Sequence, residues 1–207
     1  MSERDYWLHN WYHVDFLSGD HIVEQAIHFI DIGNWIMDDT APVKAYGMGG
    51  RQYHTDRGGN IYDHFTVEYE YADGRRITAM ARQIKPADGR MGAEVFGSNG
   101  TAFLSNDDCH VTGKRSWQSP DGASAKSAYV NEHLDFITSL REGKPLDESE
   151  RVANSTLTAI MGREAAYTGK VVTWDDMQQS KLTLTPQDIS RWDGTLRPVP
   201  KPGMKRA

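Results

Sequence analysis

The sequence predicts an α+β fold, an open and largely antiparallel β-sheet with helices packed on one face. Three observations predict it. Residues 20–38 repeat their apolar positions with helical spacing. Residues 62–71 alternate strictly, as a half-buried strand does. Short apolar runs separated by glycine- and asparagine-containing turns follow. With 38% hydrophobic content in 207 residues, one sizeable core is expected. The sequence groups residues 1–196 as one domain and residues 197–207 as a proline-rich basic tail.

The helix over 20–38 starts at Asp20, whose side chain can cap the first free N–H groups, and stops before Thr40-Ala-Pro42. Ile22, Ala26, Phe29, Gly33 and Met37 form its apolar face. Opposite them, Glu24, His28 and Asp31 stand at i, i+4 and i+7, with Trp35 on the same stripe. Two carboxylates flanking an imidazole fix its tautomer and suit general acid/base chemistry near neutral pH. The same three residues also read as the solvated side of an amphipathic helix. Trp35 and the preceding Asn10-Trp11-Tyr12-His13 argue that the stripe is roofed by aromatic rings.

The next segments read as strands. Pro42 to Gly50 ends in a glycine-rich turn, and Tyr62 to Tyr71 puts Phe65, Val67, Tyr69 and Tyr71 on one side. Ala72-Asp73-Gly74 turns the chain into an antiparallel return over 75–83. Ser98-Asn99-Gly100 joins a second hairpin, with short strands expected near 109–112 and 171–174. Two helices are expected besides. One carries Tyr129, His133, Phe136, Ile137 and Leu140 and stops at Gly143 and Pro145, with His133 as a satisfied core residue. The other runs over about 148–167 and stops at Gly169. The tail reads as an end without fixed structure or as an arm onto a neighbouring subunit.

Composition narrows the partners. A net charge of −6 argues against nucleic acid or an anionic membrane. The single cysteine, Cys109, excludes an intrachain disulfide framework. No apolar run approaches the ~20 residues of a membrane span, and no signal-peptide core opens the chain, so a cytoplasmic protein is expected. Six of the eight histidines lie at 9, 13, 21, 28, 54 and 64. That clustering raises a metal site at Glu24 and His28 with Asp31 or His64, but the His-Glu-x-x-His zinc pattern is absent and hydroxyl recognition serves equally well, so no metal ligand is assigned. His64 and Arg82, on adjacent strands, either line a pocket or face a partner.

Ser18-Gly-Asp-His-Ile-Val-Glu-Gln25 with His28 and Asp31, Gly47-Met-Gly-Gly-Arg-Gln52, Ile61-Tyr-Asp-His-Phe65, Arg82-Gln83 and the stretch 165–176 resemble, in this order, the C-terminal substrate-binding domain of the Gfo/Idh/MocA oxidoreductases. The resemblance covers nearly the whole chain. It implies the glyceraldehyde-3-phosphate-dehydrogenase-like C-terminal fold and a sugar, polyol or related cyclic substrate, with NAD or NADP as the cofactor of a complete member. It makes His28 the acid/base and Glu24 its acidic partner, where the family more often has aspartate. Gln25, Asp31, Trp11, Tyr12, His64 and Arg82 are then candidates for hydroxyl recognition.

A complete member also has a dinucleotide-binding domain with a glycine-rich phosphate loop and a catalytic lysine in a Glu-Lys-Pro-like motif. This sequence contains no Gly-x-Gly-x-x-Gly, and Gly47-Met-Gly-Gly-Arg-Gln52 lacks the third glycine. No cofactor-binding residue is therefore assigned, and the chain alone is expected to bind neither nucleotide and to be inactive. The uncovered sheet face is expected to form a homo-oligomer. The alternatives are a carbohydrate-binding or oligomerisation module without catalysis, and a metal-dependent hydrolase or lyase using Glu24 and His28.

Overall fold

A computed structural model describes residues 1–54, 57–119 and 125–203. In chain order it comprises α1 (Glu3–His9), a 3-10 turn (Trp11–His13), α2 (Asp15–Ser18), α3 (His21–Glu24), α4 (Ile27–Ile36), β1 (Lys44–Gly50), β2 (His64–Glu70) and β3 (Arg76–Arg82). There follow β4 (Ala93–Gly97), β5 (Gly100–Leu104), β6 (Cys109–Gly113), β7 (Trp117–Gln118), α5 (Ala125–Arg141), α6 (Ser149–Thr168), β8 (Val172–Thr173), α7 (Trp174–Gln178) and a second 3-10 turn (Ile189–Arg191). Contacts gather the chain in two compact units, one of Met1–Ala87 with everything from Arg151 onward, the other Asp88–Glu150. The boundary divides the span that the sequence groups as one domain.

The first unit is built on an antiparallel sheet of order β3-β2-β1-β8. The alternation read over 62–71 holds: Phe65, Val67, Tyr69 and Tyr71 are buried, and the intervening residues face outward. The buried face packs on α4 and α6 in a core that includes Ile30, Met37, Met161 and Tyr167. Small residues allow the close approach of α6. A Cβ at Gly47 would lie 2.9 Å from the Ala166 backbone nitrogen, and one at Gly162 would collide with the Tyr69 hydroxyl. Within this core Asn34 is 3% exposed. It donates to Ser155 and Thr158 at 3.2 Å and accepts from the Tyr71 hydroxyl at 2.6 Å. These bonds offset the cost of burying an amide.

Beyond α7 the chain has little regular structure, yet it is packed. Trp192 joins Trp7 and Val14 in a second cluster, Arg197 pairs with the buried Asp15 at 2.8 Å, and Val199 lies on the main core. Over the described residues the tail therefore packs on its own unit without regular secondary structure. A buried carboxylate and an apolar cluster both need this segment as cover. Residues 204–207 lie outside the described residues.

In the second unit, β4 to β7 form another antiparallel sheet in sequential order. The single sheet expected from the sequence is thus two sheets of four strands. Antiparallel pairing and hairpin positions are local properties and came out as read. Which edge a later hairpin joins is not local, and the glycine- and proline-containing link 84–92 interrupts the ladder. α5 and α6 occupy their expected places, but Tyr129, Phe136 and Leu140 are exposed. His133 is exposed too, with Nδ1 against the Tyr129 carbonyl at 2.8 Å, so it is not a core residue. Periodicity marks a helix face and says nothing of its cover.

Candidate substrate site

The single helix expected over 20–38 is broken. Gln25 and Ala26 both donate to the His21 carbonyl, at 3.1 and 3.0 Å, which inserts a widened turn between α3 and α4. The i, i+4, i+7 geometry of Glu24, His28 and Asp31 is therefore lost. Asp31 turns to α6, where Arg151 Nη1 donates to its two oxygens at 2.9 and 2.7 Å and Ser155 donates at 2.6 Å. His28 is exposed. Glu24 is half-buried, and its Oε2 is buried with no hydrogen-bond partner among the described residues. The aromatic roof is not formed by Trp35, which is 60% exposed.

The break turns Gln25 toward the first 3-10 turn. Its Oε1 accepts from the Tyr12 hydroxyl at 3.0 Å and from the Gln83 amide at the end of β3. With the carbonyl oxygen engaged twice, the amide N–H groups are what Gln25 has left to offer a ligand. Tyr12 is half-buried, and burial together with the Glu24 and Asp20 charges drives its phenol pKa upward, so it remains a donor. The structure thus joins Tyr12 and Gln83 on Gln25, with the Trp11 ring beside Tyr12. His64 and Arg82 stand elsewhere. They pair in register across β2 and β3 on the outward sheet face, beside Thr66 and Met80.

Two buried carboxylates hold this arrangement. Asp63 is 0% exposed; its Oδ2 accepts from the backbone N–H groups of Gln52, Tyr53 and His54, and its Oδ1 is 2.7 Å from His64 Nδ1. Burial pushes its pKa up, but these bonds outweigh it and hold the group at about 2. Asp20 is also fully buried. It accepts from Tyr167 on α6, from the Tyr62 N–H and from the His21 N–H, and it adopts a φ of 74° to do so. Burial lifts its pKa to about 7 against those bonds and the Arg163 charge. Burial likewise pulls His21 down to about 4, against the Asp63 carboxylate.

Sequence reasoning assigned no role to Gln83, Tyr53, His54 or Asp63. Asp63 did carry a signal. It shares the odd-numbered parity of Phe65, Val67 and Tyr69, and a carboxylate on the buried side of a strand must have partners. Among the described residues no three His, Cys, Asp or Glu side chains gather in a group that could hold a metal ion. Nor do the glycines of 47–50 form a phosphate cradle. They lie inside β1, with Gly47 against α6 and Gly49 against the His64 backbone, so a dinucleotide pyrophosphate does not fit there. No helix among the described residues is long and apolar enough to cross a membrane.

Residues 2–103, just under half of the chain, match the GFO/IDH/MocA C-terminal domain family. Among curated proteins, none matches the sequence. Solved structures share the fold. Myo-inositol 2-dehydrogenase from Lactobacillus plantarum superposes with a TM-score of 0.61 at 20% identity, covering 83% of this chain and 53% of its own. UDP-N-acetylglucosamine 3-dehydrogenase from Acidithiobacillus ferrooxidans gives 0.59 at 18% identity, covering 72% and 48%. An oxidoreductase from Agrobacterium radiobacter, crystallised with NAD+, L-tartaric acid and magnesium, gives 0.56 at 16%, covering 74% and 48%. This chain spans about half the length of those proteins.

Proposed function

We propose that this chain is the substrate-binding and acid/base part of an NAD(P)-dependent oxidoreductase acting on a sugar, polyol or related cyclic compound. The observation that carries the reading is the Tyr12–Gln25–Gln83 node, set directly beside half-buried Glu24 and exposed His28 in a chain that matches this family. Gln25 and Tyr12 orient the substrate hydroxyls. His28 takes the hydroxyl proton at its imidazole, and Glu24 is its acidic partner. Asp31 anchors the helix through Arg151 and does not touch substrate. A nicotinamide would come from a separate dinucleotide-binding domain, a reading supported by the placement of the glycines of 47–50 inside β1, where they form no phosphate cradle. His64 and Arg82 belong, in this reading, to the outward sheet face on which two copies pair.

The test adds a separately expressed dinucleotide-binding domain of the family to the purified chain and follows NAD(P)H formation with sugars and polyols, myo-inositol among them. Turnover is expected with wild type, and His28→Ala should lower kcat by about 100-fold or more. Calorimetry of the chain alone should detect no NAD(H) or NADP(H) binding. A micromolar dissociation constant for either nucleotide overturns the division of labour. Sugar binding without turnover in any combination favours a non-catalytic binding module.

A further inference from the structure

The rings of Trp11, Tyr12, His13, His54 and Tyr53 form a continuous run. Successive centroids are 6.1 Å apart from Trp11 to Tyr12, 5.5 Å to His13, 6.0 Å to His54 and 5.4 Å to Tyr53. Three of the four contacts are edge-on, with interplanar angles of 72–85°. The run joins two segments far apart in sequence and is held from below. Asp63 gathers three backbone N–H groups of the 52–54 segment on one oxygen, Asn60 N–H binds the His13 carbonyl at 3.0 Å, and His54 Nε2 meets the Gln83 carbonyl at 2.8 Å. A buried charge therefore fixes a loop whose most prominent side chain, Tyr53, is 51% exposed, while Trp11 at the other end is 44% exposed.

One end of the run is tied to the site described above, because Tyr12 bonds Gln25. Tyr53 is three rings away from Tyr12, so a single sugar ring held at Gln25 leaves the outer rings uncovered. Exposed aromatic surface interleaved with amide and imidazole groups suits the apolar CH face and hydroxyl rim of a pyranose. The two arginines beside the 52–54 segment are engaged: Arg51 donates to the carbonyls of His54 and Gly59, and Arg57 lies 4.4 Å over the Tyr6 ring and 3.8 Å from Glu3. That disfavours a diphosphate and favours a neutral ligand. We infer that the aromatic run from Tyr12 to Tyr53 is a second ring-binding subsite, and that the substrate is a neutral glycoside of at least two rings. This rests on the sugar-site reading proposed above and extends it.

Saturation-transfer NMR on the intact chain tests it, with methyl glucoside, methyl galactoside and methyl N-acetylglucosaminide as single-ring probes and cellobiose, lactose and chitobiose as two-ring probes. At least one disaccharide should bind about tenfold more tightly than its single-ring counterpart. Tyr53→Ala should remove most of that difference and Tyr53→Phe should retain it, with circular dichroism unchanged. Single-ring binding with no gain for any disaccharide overturns the subsite and leaves the sugar-site reading standing. UDP-glucose or UDP-N-acetylglucosamine binding more tightly than every disaccharide overturns the neutral ligand. Binding of no probe overturns both readings.

Discussion

Arg151 reaches from α6 to Asp31 on α4 and places one nitrogen 2.9 and 2.7 Å from the two carboxylate oxygens, while Ser155 donates to the same group. The bond ties the second half of the broken helix to the longest helix among the described residues and engages both oxygens of the Asp31 carboxylate. Both side chains remain about 30% exposed, so the pair is partly screened. Asp31→Asn should cost about 1 kcal/mol in urea denaturation and change sugar affinity less than about twofold. A tenfold loss of affinity at unchanged stability would return Asp31 to the site.

Asp20 and His21 are adjacent, buried and shifted in opposite senses. Asp20 titrates higher in the folded chain than in the unfolded one, so the native state binds more protons between about pH 4 and 7 and stability from this group falls as pH rises through that range. His21 titrates lower when folded, so its contribution rises from about pH 4 to 6.5. The two slopes oppose each other, and wild type should be nearly flat there. Asp20→Asn should unmask the histidine, giving a rise of about 3 kcal/mol between pH 4 and 6.5. A flat profile in the variant would mean that His21 titrates normally.

The Tyr69 hydroxyl is buried without a hydrogen-bond partner among the described residues, and it fills the space above Gly162. Tyr69→Phe should therefore be neutral or stabilising by about 1 kcal/mol, because it removes an unsatisfied polar group. Gly162→Ala should cost about 2–3 kcal/mol by overpacking. Combined, the two changes should lose less than the sum of the single effects, and a thermal double-mutant cycle reads the difference. Strict additivity would show that α6 and β2 do not approach as closely as described.

The outward face of β1 to β3 presents Tyr46, Met48 and Met80, exposed by 51, 56 and 74%. Beside them Lys44, Glu70, Arg76 and Glu68 form a chain of ion pairs. An apolar centre with both signs of charge at one end suits a second copy related by a two-fold axis. We expect a homo-oligomer burying at least ~1,200 Å² through this face. Met48→Glu with Met80→Glu should shift light scattering to the monomer mass. A wild-type monomer at high micromolar concentration would leave the face to another partner.

Local patterns in the sequence sufficed for the order of the main strands and the two long helices, though not for α1, α2, α7 or β7, and for the hairpins, the alternation that buries Phe65, Val67 and Tyr69, and the capping role of Asp20. Each depends on the periodicity or the turn chemistry of a few consecutive residues. The family was legible for the same reason, through contiguous motifs around Glu24 and His28. Only the tertiary structure decided that the helix breaks at Gln25 and Ala26, that Asp31 belongs to Arg151, and that Asp63 assembles the 52–54 segment. Gln83 likewise meets Gln25 across 58 residues of sequence. The same holds for the division into two sheets and for the exposure of His133. For Asp31, Asp63 and Gln25 the outcome was set by which distant guanidinium, backbone N–H or amide meets the polar group, and no spacing within a helix or strand encodes that choice.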